Sequence, residues 1–187
     1  IYRYLNLVYT PQVSVDKVFA TADAIKGTLT VAGRFYNPNR VSTATVQVTV
    51  KDPLGKSIYT AKRELTEFLD KNELANISVK KPKLWSPDQP QLYSVEVSII
   101  DQGETHTQVA NVGFRHFEFI KKGPFHLNGK RLLLRGTHRH EDHAGVAAAM
   151  TEDMIRTEMV MMKEMGVNFI RLGHYQQSKI VLNLCDS

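Results

Sequence analysis

Cysteine is nearly absent from this chain. The one residue, Cys185, excludes an intrachain disulfide and leaves the redox compartment open. Long apolar runs are missing too: none approaches the ~18 residues that span a bilayer, so a membrane-spanning helix is excluded. Tyr2, Arg3 and Tyr4 follow Ile1 where a signal peptide would place a basic region and a long apolar stretch. With no initiator methionine at its head, the chain reads as an internal piece of something longer. Basic clusters interleaved with aromatics are also lacking. Residues 1–120 hold 14 Lys/Arg against 12 Asp/Glu, and residues 121–187 hold 10 against 7, so the net charge of +5 is spread thinly. Pairs such as Lys80-Lys81 and Lys121-Lys122 read as solvated strand ends. No nucleic-acid partner and no membrane partner are expected.

What is present divides in two. The 187 residues, 42% hydrophobic, suffice for one ordinary domain or two small ones. From Val13 to about Phe119 the pattern is that of strands. Leu29, Val31 and Phe35 alternate around Gly33, and Val46, Val48 and Val50 share a second face. Further strands are predicted at Ile58–Leu65, Leu74–Val79, Tyr93–Ile99 and His106–Val112. Turn chemistry separates them at Asn37-Pro38-Asn39, Asp52-Pro53-Leu54-Gly55 and Asp101-Gln102-Gly103-Glu104. About seven short strands in roughly a hundred residues predict an immunoglobulin-like antiparallel β-sandwich. Trp85, the only tryptophan, is expected to anchor its core; an exposed platform for stacking a sugar is the functional alternative.

After Phe119 the grammar changes. A linker at Lys121-Lys122-Gly123-Pro124 precedes a predicted hairpin over Phe125–Lys130, turned at Asn128-Gly129. The apolar run Arg131–Arg135 predicts a strand buried on both faces. A helix is expected to start at Thr151, an N-cap followed by Glu152 and Asp153, and to end at Gly166. Met154, Ile155, Met159, Met162 and Met165 recur at helical spacing as its packing face, a methionine-lined groove being the alternative. Val167–Leu172 predicts a second strand, and Ser178 a second helix. Strand, helix, strand, helix is the opening of an α/β architecture with parallel strands. A full (β/α)8 barrel takes roughly 250 residues, so only its first quarter is expected here. The predicted fold is therefore mainly β: a sandwich over residues 1–120, then the first βαβα portion of an incomplete TIM barrel over 121–187.

Between the two predicted parallel strands lies Gly136-Thr137-His138-Arg139-His140-Glu141-Asp142-His143. The spacing His138-x-His140-x-Asp142-His143 suits a zinc-dependent hydrolase, because close imidazoles offer neutral nitrogen ligands and a carboxylate helps a second metal activate water. His138-x-His140 at the end of a first barrel strand is a second metal reading. The surroundings weigh against both: the residues upstream form an all-β sandwich, and His174 alone remains downstream as a further ligand. No zinc is expected, and the histidines of this loop that ligate nothing would pack and hydrogen-bond. A non-catalytic sandwich that binds carbohydrate or a partner subunit, with Trp85 and Tyr93 as its aromatics, is the remaining alternative.

Several motifs together carry a resemblance. Ile1–Pro11, Leu84-Trp85-Ser86-Pro87-Asp88-Gln89-Pro90-Gln91-Leu92-Tyr93, Val112-Gly113-Phe114-Arg115, Phe125–Lys130, Leu134–Glu141 and Ile170-Arg171-Leu172-Gly173-His174-Tyr175 resemble successive segments of glycoside hydrolase family 2, most of all its β-galactosidases. The resemblance implies a retaining glycosidase acting on terminal non-reducing β-D-galactosides, with two glutamates as acid/base and nucleophile. Both glutamates, and the family's magnesium positions, would lie beyond Ser187. No catalytic residue, metal ligand or cofactor site is then expected in this chain, and the chain alone is expected to be inactive. Glu141 matches neither catalytic position. By the same resemblance His140 and His174 would line the sugar subsite, and Arg171 would stand beside the nucleophile. His138 occupies a place where many members carry asparagine; Gly173 and Gln176 stand where serine and proline are commoner. An open barrel edge predicts self-association, or disorder after about Phe125.

Overall fold

The computed structural model describes residues 5–187. It divides into two compact units, Val8–His116 and Phe117–Ser187, residues 5–7 being grouped with the second. The first four residues of the Ile1–Pro11 segment lie outside the described residues.

The first unit is the predicted sandwich. Its seven strands are β1 (Ser14–Asp23), β2 (Thr28–Tyr36), β3 (Ala44–Lys51), β4 (Ser57–Leu65), β5 (Asn72–Ser78), β6 (Tyr93–Asp101) and β7 (Glu104–Val112). They form a three-stranded sheet, β1-β2-β5, and a four-stranded sheet, β4-β3-β6-β7, antiparallel throughout. Strict alternation on β3 and β6 buries Val46, Val48 and Val50 with Tyr93, Val95, Val97 and Ile99. Leu29, Val31 and Phe35 of β2 complete the same core. Gln102 and Gly103, both with positive φ, turn β6 into β7 as the sequence predicts.

Trp85 departs from expectation. It is half-buried at the margin of this unit, not in the core, with the Arg115 guanidinium 4.8 Å from its ring. The core position belongs to Phe114, fully buried and edge-on to Tyr93. The reason is local. Leu84 forms a bridge with Phe114, and the Trp85 N–H donates to the Phe114 carbonyl. This lays the indole over Gly113, where a Cβ would come within 2.7 Å of Trp85 Cβ.

The second unit begins earlier than the linker suggests. β8 (Phe117–Phe119) pairs with β9 (Phe125–Leu127), which pairs with β10 (Lys130–Arg131) in one small antiparallel sheet. Asn128 and Gly129, at φ 52° and 75°, make the predicted hairpin turn. The strand predicted at Arg131–Arg135 lies further on: β11 is Gly136–Arg139. Leu133 is 62% exposed, so the run is not buried on both faces. Backbone bonds at Arg135 are taken by Asn168, whose Oδ1 accepts from the Arg135 N–H and whose N–H donates to the Arg135 carbonyl. Asn168 Nδ2 also donates to the Leu133 carbonyl. One asparagine thus clamps the lead-in, and pairing starts beyond it.

β11 and β12 (Phe169–Leu172) run parallel, with α1 (Glu152–Glu164) between them in the chain and α2 (Lys179–Asp186) following. Thr151 caps α1 by accepting from the Met154 N–H, and Glu152 and Asp153 occupy its first turn. Gly166, at φ 79°, ends it, with Val167 N–H closing back to the Met162 carbonyl. Ile155 and Met159 are buried with Met150 and Val181, and Met154 and Met162 pack at their rim. Met165 is 78% exposed and does not join them, because it lies past the end of the helix at its C-cap. Among the described residues no helix is long and apolar enough to cross a membrane.

Candidate functional site

The site is built where β11 and β12 end together. Their register pairs His138 with Arg171 and Arg139 with Leu172. The ladder is extended by the Gly173 N–H, which donates to the Arg139 carbonyl at 2.8 Å. Strand alternation then sorts the side chains. His138 and His140 fall on one side, their rings stacked with centroids 4.8 Å apart and planes 14° from parallel. Arg139 falls on the other and is buried, 5% exposed.

His174 joins the pair from the second loop. Its ring centroid is 5.3 Å from that of His140 and 5.9 Å from that of His138, edge-on to both. Its backbone is held at φ 50°, a left-handed conformation uncommon for a residue with a side chain. A tight turn imposes this, closed by the Tyr175 N–H donating to the Gly173 carbonyl at 2.9 Å. Strain of this kind persists only where surrounding bonds overdetermine it. Here the residues on either side of His174 supply them.

Such bonds come from the side opposite the histidines. Arg139 Nη1 donates to Gln177 Oε1 at 2.7 Å, and its Nη2 and Nε reach Glu158 Oε2 on α1 at 3.0 and 3.2 Å. The Tyr175 hydroxyl accepts the Glu141 N–H at 2.7 Å. The Glu141 carboxylate, 6% exposed, accepts the Ser178 N–H at the start of α2, where the helix dipole favours negative charge. Glu141 is therefore a structural acid tying the first loop to the second helix. Tyr175 entered the sequence reading only as the last residue of the Ile170–Tyr175 motif, with no role, and Gln177 did not enter it; nothing in their spacing marks them. Only the fold brings them to Arg139 and Glu141.

Of the sequence-predicted residues, His140, His174 and Arg171 meet at one place, and His138 joins them. The other members of the zinc-like spacing do not. His143 is turned into its own loop, with its N–H donating to the Ala147 carbonyl and its Nδ1 2.9 Å from the Ala144 carbonyl. Among the described residues, the group of side chains able to hold a metal is His138, His140 and His174, with ligand atoms within 4.8 Å of one another. Arg171 Nη1 lies 3.3 Å from His138 Nδ1 and 3.5 Å from Nε2. Loss of solvent around the His138 ring, then the positive charge of Arg171 and of the neighbouring histidines, hold its pKa below the ordinary histidine range. The arrangement is a shallow wall of three imidazoles and one guanidinium, rich in donors for hydroxyl or anionic oxygens.

The same architecture recurs in known proteins. Residues 13–115 match the family model "Glycosyl hydrolases family 2", and residues 119–187 match "Glycosyl hydrolases family 2, TIM barrel domain". A β-glucuronidase crystal structure from Parabacteroides merdae superposes with a TM-score of 0.95 at 54% identity, covering 99% of this chain and 24% of that one. A putative β-glucuronidase of Formosa agariphila is 50% identical over 123 residues, 64% of this chain and 15% of its own length. A β-galactosidase of Vibrio vulnificus strain YJ016 is 33% identical across 100% of this chain and 19% of its own length. The chain thus spans about a quarter or less of these relatives. The two matched models follow one another along the chain, sandwich first and barrel opening second, and the chain belongs to glycosyl hydrolase family 2.

Proposed function

We propose that this chain forms part of a retaining β-glycosidase whose substrate class is terminal β-D-glucuronides, with β-D-galactosides as the second reading. The observation that carries the first choice is 54% identity over nearly the whole chain to a β-glucuronidase, against 33% for the β-galactosidase that also covers it. The galactoside implied by the sequence motifs is supported by the full coverage of the Vibrio relative.

In this reading His140 and His174 hydrogen-bond ring hydroxyls of the terminal sugar and steady the oxocarbenium-like transition state. Arg171 keeps a neighbouring carboxylate nucleophile ionised through its charge. A retaining mechanism needs two carboxyl groups about 5 Å apart across the glycosidic bond. Glu141 is committed to Ser178, so both would come from outside these 187 residues. Magnesium takes oxygen donors, whereas the three-histidine group offers imidazole nitrogens, so the residues here do not fit that ion and no step runs through it. The open two-stranded sheet β11-β12 leads us to include self-association of the isolated chain in the proposal.

The test compares 4-nitrophenyl β-D-glucuronide with 4-nitrophenyl β-D-galactoside. A protein carrying this chain within the length of its relatives is expected to favour the glucuronide in kcat/KM, and the 187-residue chain to turn over neither. A preference for the galactoside would move the assignment to the second reading. Turnover by the isolated chain would contradict the placement of the carboxylates.

A further inference from the structure

We propose that Tyr175 is a positioning residue, which fixes the direction in which His140 faces the sugar. The inference rests on the reading of His140 as part of the sugar wall and adds a residue which that reading does not use.

Backbone geometry carries it. A side chain leaves the backbone in a direction set by the φ and ψ of its own residue, and so by the peptide planes on either side of it. Both planes at His140 are pinned from the second loop. The plane before it holds the Arg139 carbonyl, which accepts the Gly173 N–H at 2.8 Å. The plane after it holds the Glu141 N–H, which donates to the Tyr175 hydroxyl at 2.7 Å. The first of these bonds joins backbone to backbone. The second depends on a single side-chain oxygen. Tyr175 also meets His140 directly: its ring lies edge-on to the imidazole, with centroids 6.1 Å apart and planes at 61°. Phenylalanine would supply that ring contact but no acceptor for the amide.

Two neighbouring bonds leave this role to the hydroxyl. The Glu141 carboxylate accepts the Ser178 N–H, which anchors the end of a side chain, several rotatable bonds away from the peptide plane. The Tyr175 N–H donates to the Gly173 carbonyl and closes the turn at His174, a bond that Tyr175→Phe retains. Loss of the hydroxyl therefore acts on His140 and spares His174. Tyr175 is 48% exposed, so the oxygen can be removed without opening a core.

The test is a cycle of substitutions in a protein carrying this chain within the length of its relatives, assayed on whichever 4-nitrophenyl glycoside it prefers. Tyr175→Phe should lower kcat by on the order of tenfold, less than the ~10² of a 1 Å misplacement, with KM within about twofold. In a His140→Asn background the same change should cost less than about twofold, because the group it positions is gone. In a His174→Asn background the full loss should remain. Thr151→Ala, which removes the cap of α1, should lower the unfolding midpoint and leave kcat/KM unchanged. In the 187-residue chain, Tyr175→Phe should speed exchange of the Glu141 amide hydrogen and shift the His140 ring resonances, a readout independent of activity. If His140→Asn leaves kcat/KM unchanged, the sugar reading fails, and the positioning of His140 is decided by that exchange and those resonances. Their constancy in Tyr175→Phe would overturn the proposal. So would a loss that persists in full in the His140→Asn background, or an equal loss of kcat/KM in Thr151→Ala.

Discussion

His138 exists in its place because residue 173 has no side chain. A Cβ on Gly173 would stand 2.7 Å from His138 Nε2 and 2.9 Å from His140 Nε2, closer than atoms pack. Two departures from the family pattern noted in the sequence, a histidine at 138 and a glycine at 173, are therefore one event in space. They are 35 residues apart and meet only because β11 and β12 are parallel neighbours.

Gly173→Ala should move the two imidazoles while costing little stability, under about 1 kcal/mol, because the atoms displaced are the tips of exposed side chains. Imidazole resonances of His138 and His140 should shift in NMR spectra. The His140 shift should shrink when Gly173→Ala is combined with His138→Asn, since the shorter side chain relieves the crowding. Independent effects of the two substitutions would show that the two positions are not coupled.

His138 should titrate below the ordinary histidine pKa, and Arg171→Gln should raise it by removing a neighbouring positive charge. The folded form takes up this proton less readily than the unfolded chain. Its contribution to stability is therefore full above the unfolded histidine pKa and is lost as pH falls through the lower folded value. Proton NMR titration of the ring, with and without Arg171→Gln, measures both directions. An upward shift in the unaltered chain would contradict the assigned causes.

Buried-side residues should matter more for stability than the exposed histidines. Arg139→Met leaves Glu158 and Gln177 without their shared partner. The full cost of breaking a buried pair is discounted because the Glu158 side chain keeps 27% of its exposure, leaving about 2–3 kcal/mol. Glu141→Ala removes an acceptor from the start of α2 and should cost about 1 kcal/mol. Denaturant unfolding checks the order. A Glu141→Ala chain as stable as the parent would return that carboxylate to consideration as a chemical group.

The isolated chain should self-associate. Leu133, Leu134 and Phe169 are exposed at or beside the two-stranded parallel sheet, a pair that covers neither of its edges. Light scattering behind size exclusion should give a mass that rises with concentration, and Leu133→Lys should lower it. A monomer at all concentrations would contradict this.

Much of the fold was legible because local signals and tertiary packing agree. The alternation on β3 and β6, the Asn128-Gly129 turn and the Thr151 and Ser178 caps are each written within a few residues. The failures fall where a distant partner decides. Trp85 lost the core to Phe114 through a bridge spanning thirty positions of sequence. The Arg131–Arg135 strand moved because Asn168 takes its backbone groups. In the site, the family resemblance already put His140 and His174 together, but not that His138 would stack on His140 while Asp142 and His143 stay out of the group. Loop direction after β11 decides that, and it depends on Tyr175 and Gln177, which carry no signature of their own.

The central claim is that the wall of His140, His174 and Arg171 serves glycosidic bond cleavage. Its most direct measurement is kcat/KM for the glucuronide in a protein carrying this chain within the length of its relatives, with His140→Asn, His174→Asn and Arg171→Gln compared one at a time. Each is expected to lower kcat/KM by on the order of 10²–10³, the effect of losing one aligned transition-state donor, with His143→Asn unchanged. Equal activity in all four variants would contradict the account.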